Sequence, residues 1–218
     1  MFTYLYHNKM SNEFIMKVII VGNPSVGKSN LILQYTENRF NSEHSPTLGL
    51  DFSTKKVQLN NITLTCQLWD TAGQEQFQSI TSKYYKDSTC AVIVFDITDR
   101  RSFTSVKKWY HDITKECDDN VVIALVGNKS DLENKRQVMY EDARALADEL
   151  NVSYYETSAK TGDNIDKMFK ELIQVVEEII RNDENGWINM KLSKIDNFVL
   201  EHNNNNRHTY CYGYSGKC

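Results

Sequence analysis

The stretch Gly22-Asn23-Pro24-Ser25-Val26-Gly27-Lys28-Ser29 brings phosphate-handling chemistry into this chain. It matches glycine, four residues, then Gly-Lys-Ser, directly behind the apolar run Phe14–Val21. A strand ending there, a tight turn and a helix beginning at Lys28 aim backbone N–H groups at one point. The positive end of the helix dipole reinforces them, and the result is an anion site. Gly27 lets the main chain approach a phosphate with no Cβ in the way. The Lys28 ammonium can reach β- and γ-phosphates, and the Ser29 hydroxyl can ligate Mg²⁺.

Other polar groups fall where strands should end. In Trp69-Asp70-Thr71-Ala72-Gly73-Gln74, Asp70 can hold Mg²⁺ opposite Ser29, the Gly73 N–H can meet a γ-phosphate, and Gln74 can orient an attacking water. In Asn128-Lys129-Ser130-Asp131, the Asp131 carboxylate can accept from both N1–H and the N2 amine of guanine, a donor pair adenine lacks. Asn128 could bond the purine N7 or tie loops together, and the Lys129 stem could lie over the ring. In Thr157-Ser158-Ala159-Lys160, small residues let the Ala159 N–H approach the guanine O6. Thr47, after Pro46, is a further hydroxyl for Mg²⁺. Each group alone also reads as an ordinary turn or helix cap; behind a phosphate loop they add up to a nucleotide site.

The elements that must position them alternate. Strands are predicted at Phe14–Val21, Asp51–Leu59, Ile62–Trp69, Cys90–Phe95, Val121–Val126 and Val152–Glu156, and helices at Lys28–Asn38, Phe103–Cys117, Tyr140–Leu150 and Asn164–Ile180. Asn60-Asn61 suits a two-residue hairpin turn. The continuous β-branched runs mark strands buried on both faces. In the last helix Ile165, Met168, Phe169, Leu172, Ile173, Val176 and Ile180 share one face. This order predicts a doubly wound α/β fold, a mostly parallel six-stranded sheet with one antiparallel edge pair. Its ligands bind beyond the carboxyl ends of the strands.

Composition excludes other classes. With 218 residues, 40% hydrophobic and 25% charged, the chain can bury one substantial core. A net charge of −4 argues against nucleic-acid binding through a basic surface. Five cysteines without CxxC spacing predict neither a disulfide framework nor a zinc site, and fit a reducing compartment. No apolar run is long enough to span a membrane, and the N-terminus lacks the pattern of a signal peptide. Residues 1–9 read as an extension ahead of Met10, within an N-terminal segment 1–13.

In this order and spacing the motifs resemble those of the Ras-superfamily small GTPases, over roughly residues 14–181. The Rab family is indicated by Leu48-Gly-Leu-Asp-Phe52, Thr65-Cys-Gln-Leu-Trp69, Gln76-Phe-Gln-Ser-Ile80, Tyr84-Tyr-Lys-Asp-Ser88 and Phe95-Asp-Ile-Thr98. The resemblance implies a small G domain of the phosphate-loop type at 14–181. It implies a GTP/GDP switch in vesicle trafficking, with slow hydrolysis carried by Gln74 and Lys28. Nucleotide contacts would come from Gly22 through Asn30, Phe40 at the guanine edge, Thr47, Gly73, Asn128, Lys129, Asp131, Ser158, Ala159 and Lys160. Mg²⁺ would sit on Ser29, Thr47 and Asp70. A GTPase-activating protein, an exchange factor, an escort protein or dissociation inhibitor, and effectors of the GTP form are the implied partners. The protein would be a cytoplasmic monomer cycling onto the cytosolic face of endomembranes. A non-hydrolysing GTP-dependent binding module is the alternative, and a phosphate-loop small-molecule kinase a weaker one, since Asp131 selects guanine.

The chain also departs from that pattern. Pro24 and Ser25 stand where many relatives carry glycine or another small residue, and Pro24 has no N–H to donate. Gln76 and Gln78 replace common arginines. The segment 182–218 is polar with an Asn203–Asn206 run, which predicts a flexible tail. It balances four basic against four acidic residues, so it has no polybasic attraction for lipid. It ends on Cys218, with Cys211 seven positions earlier, a prenylation candidate outside the four-residue box. Ile188, Leu192, Ile195 and Val199 would share a helical face, a candidate docking segment.

Overall fold

A computed structural model describes residues 13–42, 50–59, 62–71, 85–117 and 120–182. Strand β1 (Glu13–Val21) sends Met16, Val18 and Ile20 to one buried face and Ile19 and Val21 to the other. A strand apolar on both sides has to lie inside a covered sheet. With β2 (Leu50–Leu59), β3 (Ile62–Thr71), β4 (Cys90–Asp96), β5 (Val122–Asn128) and β6 (Ser153–Thr157), it forms a six-stranded sheet. The order is β2-β3-β1-β4-β5-β6. All pairings are parallel except β2 with β3, so the expected antiparallel pair lies at one edge. Leu59 pairs with Ile62, and the turn expected at Asn60-Asn61 lies outside the described residues.

Helices cover both faces. On one, α1 (Lys28–Glu37) and α5 (Ile165–Arg181) bury Leu31, Ile32, Met168, Phe169, Leu172 and Ile173. There Tyr35 stacks on Phe169 with ring centroids 3.9 Å apart. On the other, α2 (Arg100–Thr104), α3 (Val106–Glu116) and α4 (Tyr140–Glu149) bury Phe103, Val106, Trp109, Ile113 and Leu146. Fully burying each large apolar side chain is worth about 1.5–3 kcal/mol, so packing on both faces holds the helices to the sheet. No described helix is long and apolar enough to cross a membrane. Cys66, Cys90 and Cys117 are buried, and Cys117 Sγ donates to the Tyr85 carbonyl at 3.0 Å.

Several boundaries correct the sequence reading. The helix expected over 103–117 begins earlier, because Asp99 Oδ1 accepts from the Arg101 N–H at 2.9 Å and caps it. It is then interrupted at Ser105, whose hydroxyl donates to the Arg101 carbonyl at 3.1 Å, a local bond that competes with the helix ladder. α1 stops at Glu37 because Asn38 takes a left-handed conformation (φ 53°), the usual helix stop. Strands β3 and β5 run on past their apolar residues, to Thr71 and Asn128. A 3₁₀ turn at Ser130–Lys135 was not foreseen.

Burial also sets the alkaline limit of the fold. It raises the phenols of Tyr35, Tyr85 and Tyr154 and pushes the Cys66 thiol up to about 12. Above the ordinary values of 9.0 for the thiol and 10.0 for the phenols, the unfolded chain has lost protons that the fold still holds. Stability therefore falls as pH rises through this range, by up to about 1.4 kcal/mol per pH unit for each buried group. Urea midpoints should hold to about pH 9 and drop steeply by about pH 11; a flat profile would mean that these groups ionise within the fold.

Candidate functional site

Parallel strands end on one side of the sheet, so the motifs after β1, β3, β4, β5 and β6 share an edge. β1 pairs with β3 on one side and with β4 on the other. The chain thus reverses direction across the sheet at β1, which opens a crevice there.

The phosphate loop leaves β1 into this crevice. Gly22 (φ 143°) has no room for a side chain, since a Cβ would lie 2.1 Å from the Val94 carbonyl oxygen. At Gly27 (φ 99°) a Cβ would lie 2.4 Å from Asn128 Nδ2. Between them Pro24 and Ser25 are exposed, with Ser25 left-handed at φ 64°, and Val26 is buried. Lys28 is only 6% exposed, and its Nζ donates to the carbonyls of Gly22 and Asn23, both at 2.9 Å. Burial lowers its ammonium to about 8, with the Asp70 carboxylate acting in the opposite sense. A phosphate beside it would favour the charged form.

Ser29 Oγ donates to Asp70 Oδ2 at 2.5 Å. A hydroxyl and a carboxylate side by side at the start of a helix suit Mg²⁺, which takes hard oxygen ligands and keeps water or phosphate in the rest of its shell. Among the described residues no cluster of three or more His, Cys, Asp or Glu could hold an ion alone. Asn30 exchanges two hydrogen bonds with the backbone of Asn41, at 2.8 and 2.9 Å. Its side chain thereby holds the segment of Phe40, which is 42% exposed, against α1.

The other end of the crevice is built on Asn128, which is 1% exposed. Its Nδ2 donates to the Val26 carbonyl at 2.8 Å, and its Oδ1 accepts from the Ala159 N–H at 3.1 Å and from Thr157 Oγ1 at 3.3 Å. Of the two roles open to Asn128 in the sequence, the structure displays the tie between loops, and the Ala159 N–H meets that side chain. Lys129, left-handed at φ 69°, pairs through Nζ with Asp96 Oδ2 at 2.6 Å. Asp131 is exposed and accepts from the Ser158 hydroxyl at 2.7 Å; Lys160 is exposed.

Residues that sequence reasoning missed brace this end. Asp96 Oδ1 accepts from the N–H and hydroxyl of Thr98, at 2.8 and 2.7 Å, which leaves Oδ2 aimed at Lys129. Arg136 bonds both carboxylate oxygens of Glu156, at 2.7 and 2.8 Å, and also reaches Glu133. Such forked pairs fix geometry as well as charge, and here the fork joins the 3₁₀ turn to the strand that leads to Thr157. The usable signal was position: Asp96 ends a strand, and Glu156 directly precedes Thr157. Thr47, Gly73, Gln74, Cys211, Cys218 and the segment 187–200 lie outside the described residues. A surface depression of about 440 Å³ lined by Arg144, Asp148, Asn151, Tyr155 and Glu171 shares none of the motif residues.

Fold and site together define a phosphate-loop nucleotide-binding domain. Residues 17–178 match the model of the Ras family. The chain is 41% identical over 170 residues to the GTP-binding protein ypt3 of Schizosaccharomyces pombe, covering 78% of this chain and 79% of that protein. It is 40% identical over 168 residues to the Ras-related protein Rab-11C of Dictyostelium discoideum, covering 77% and 75%. It is 38% identical over 199 residues to the Ras-related protein SEC4 of Saccharomyces cerevisiae, covering 91% of each. The chain belongs to the Ras family and is a Rab-like small GTPase involved in vesicle trafficking. As a GTPase it hydrolyses GTP to GDP and phosphate, which sets aside the non-hydrolysing module and the small-molecule kinase.

Proposed function

We propose that the chain is a slow GTP-driven switch whose parts divide by strand end. The meeting of Lys28, Ser29 and Asp70 beside the loop is the observation that carries this reading. Ser29, Asp70 and Thr47 are the residues that would hold Mg²⁺, and the bound ion would offset charge on the phosphate oxygens. Lys28 holds the β- and γ-phosphates, the Gly73 N–H meets the γ-phosphate, and Gln74 orients water. Asp131 accepts from the guanine edge, with Asn128, Lys129, Ser158, Ala159 and Lys160 around the base and Phe40 against its rim. The segments of Thr47 and Gly73 engage the γ-phosphate and relax without it, so effectors can read the GTP form. A GTPase-activating protein supplies an arginine that offsets charge on the transferring phosphoryl group, and an exchange factor and an escort or dissociation inhibitor complete the cycle. The protein acts as a monomer, without nucleic acid.

Membrane attachment in this reading comes from a prenyl group on Cys218, placing the protein on the cytosolic face of endomembranes. At about 0.8 kcal/mol per buried CH₂, a single chain anchors only reversibly, as a cycling protein needs. Mass spectrometry of the C-terminal peptide from the native host should show the adduct, and Cys218→Ser should move the protein to the soluble fraction. An unmodified Cys218 together with unchanged fractionation would contradict the anchor.

For turnover, Gln74→Leu keeps volume but cannot align water. Single-turnover hydrolysis should fall at least ~10-fold while GTP affinity shifts by less than about 3-fold, the pattern of an interaction made only in the transition state. Hydrolysis at the parent rate would remove Gln74 from the mechanism.

A further inference from the structure

Asn23, second residue of the phosphate loop, is gripped from outside the loop. Trp109 on α3 is 4% exposed, and its Nε1 donates to Asn23 Oδ1 at 2.9 Å. Asn23 Nδ2 donates to Ser105 Oγ at 3.1 Å, and that hydroxyl donates onward to the Arg101 carbonyl at 3.1 Å. An indole N–H can only donate. The amide must therefore turn its oxygen to Trp109 and its NH₂ to Ser105, and the relay runs one way. Two bonds on one side chain fix orientation as well as distance. Meanwhile the carbonyl of Asn23 accepts from Lys28 Nζ at 2.9 Å.

We infer that Trp109 and Ser105, acting through Asn23, are positioning residues for the phosphate end of the nucleotide site. The residue they hold directly precedes Pro24-Ser25, where Ser25 carries a side chain at φ 64°. A left-handed residue of this kind persists only when its surroundings over-determine the backbone, and the grip supplies that constraint two residues upstream. It also fixes the carbonyl that holds Lys28, and so fixes where the ammonium meets a diphosphate. The plainer reading is that Asn23 only satisfies a buried indole N–H. That reading leaves the second bond, to the residue at which the helix is interrupted, without a purpose.

The inference rests on Gly22–Ser29 being the phosphate end of a guanine-nucleotide site, and the test separates the two. In the full chain, Trp109→Phe keeps the ring and removes only the donor, while Asn23→Ala removes both bonds. Affinities for GDP and GMP, measured by competition, should diverge. GDP should weaken by about 2- to 10-fold for each hydrogen bond lost, while GMP, with no β-phosphate for Lys28, should hold. The GDP-to-GMP ratio should fall by the same factor. The NMR signal of the Trp109 indole N–H should differ between the GDP and GMP complexes of the parent and coincide in Asn23→Ala. An unchanged ratio in both variants, or equal weakening of both nucleotides, would reduce the contact to structural support and overturn the inference. A parent chain that binds neither nucleotide would instead overturn the functional reading beneath it.

Discussion

The amide of Asn128 is the constraint on which the rest of this site depends. It joins Val26, 102 positions away, to Ala159, 31 positions away, and thereby links the loop at one end of the crevice to the loop at the other. It does so at 1% exposure, where an unpaired polar group would cost about 1–3 kcal/mol. Satisfying that group forces Val26 and Ala159 toward one another. The same amide occupies the space a side chain at Gly27 would need, so the glycine serves the packing of the loop as well as its turn.

Around this tie the charges are shared out so that each has a job. Lys28 rests on two carbonyls of its own loop. Lys129 rests on Asp96, and Arg136 on Glu156 and Glu133. Buried or half-buried ion pairs are weak sources of stability, because desolvation offsets much of their attraction. Their value here is directional: they stand each strand-end loop at a set angle to a sheet whose two faces are filled by aliphatic side chains.

Much of this was legible in the sequence, for a physical reason. A phosphate loop needs glycines, lysine and a hydroxyl in a short local pattern, and strands buried on both faces appear as continuous apolar runs, as in Cys90–Phe95. The antiparallel edge pair followed from Asn60-Asn61 between two strands. What stayed hidden depends on partners distant in the chain. Ser105 looks like any helical serine until it meets Arg101 and Asn23. Asp96 and Arg136 brace the site through residues 33 and 20 positions away, Lys129 and Glu156. Strand ends were read short because Thr71 and Asn128 are polar, although the ladder carries them. The role of Asn128 itself could be narrowed only to two, since both use the same amide.

One buried amide makes the loops at 22–29 and 157–160 a single body, which amide hydrogen exchange on Asn128→Ala bound to GDP tests. Removing the side chain strands the Val26 carbonyl and the Ala159 N–H, a local loss of about 2–5 kcal/mol. Residues 22–29 and 157–160 should therefore lose protection together, while the central strands β1 and β4 keep theirs. Loss of protection at 157–160 with residues 22–29 still as protected as in the parent would mean that the two loops are held independently.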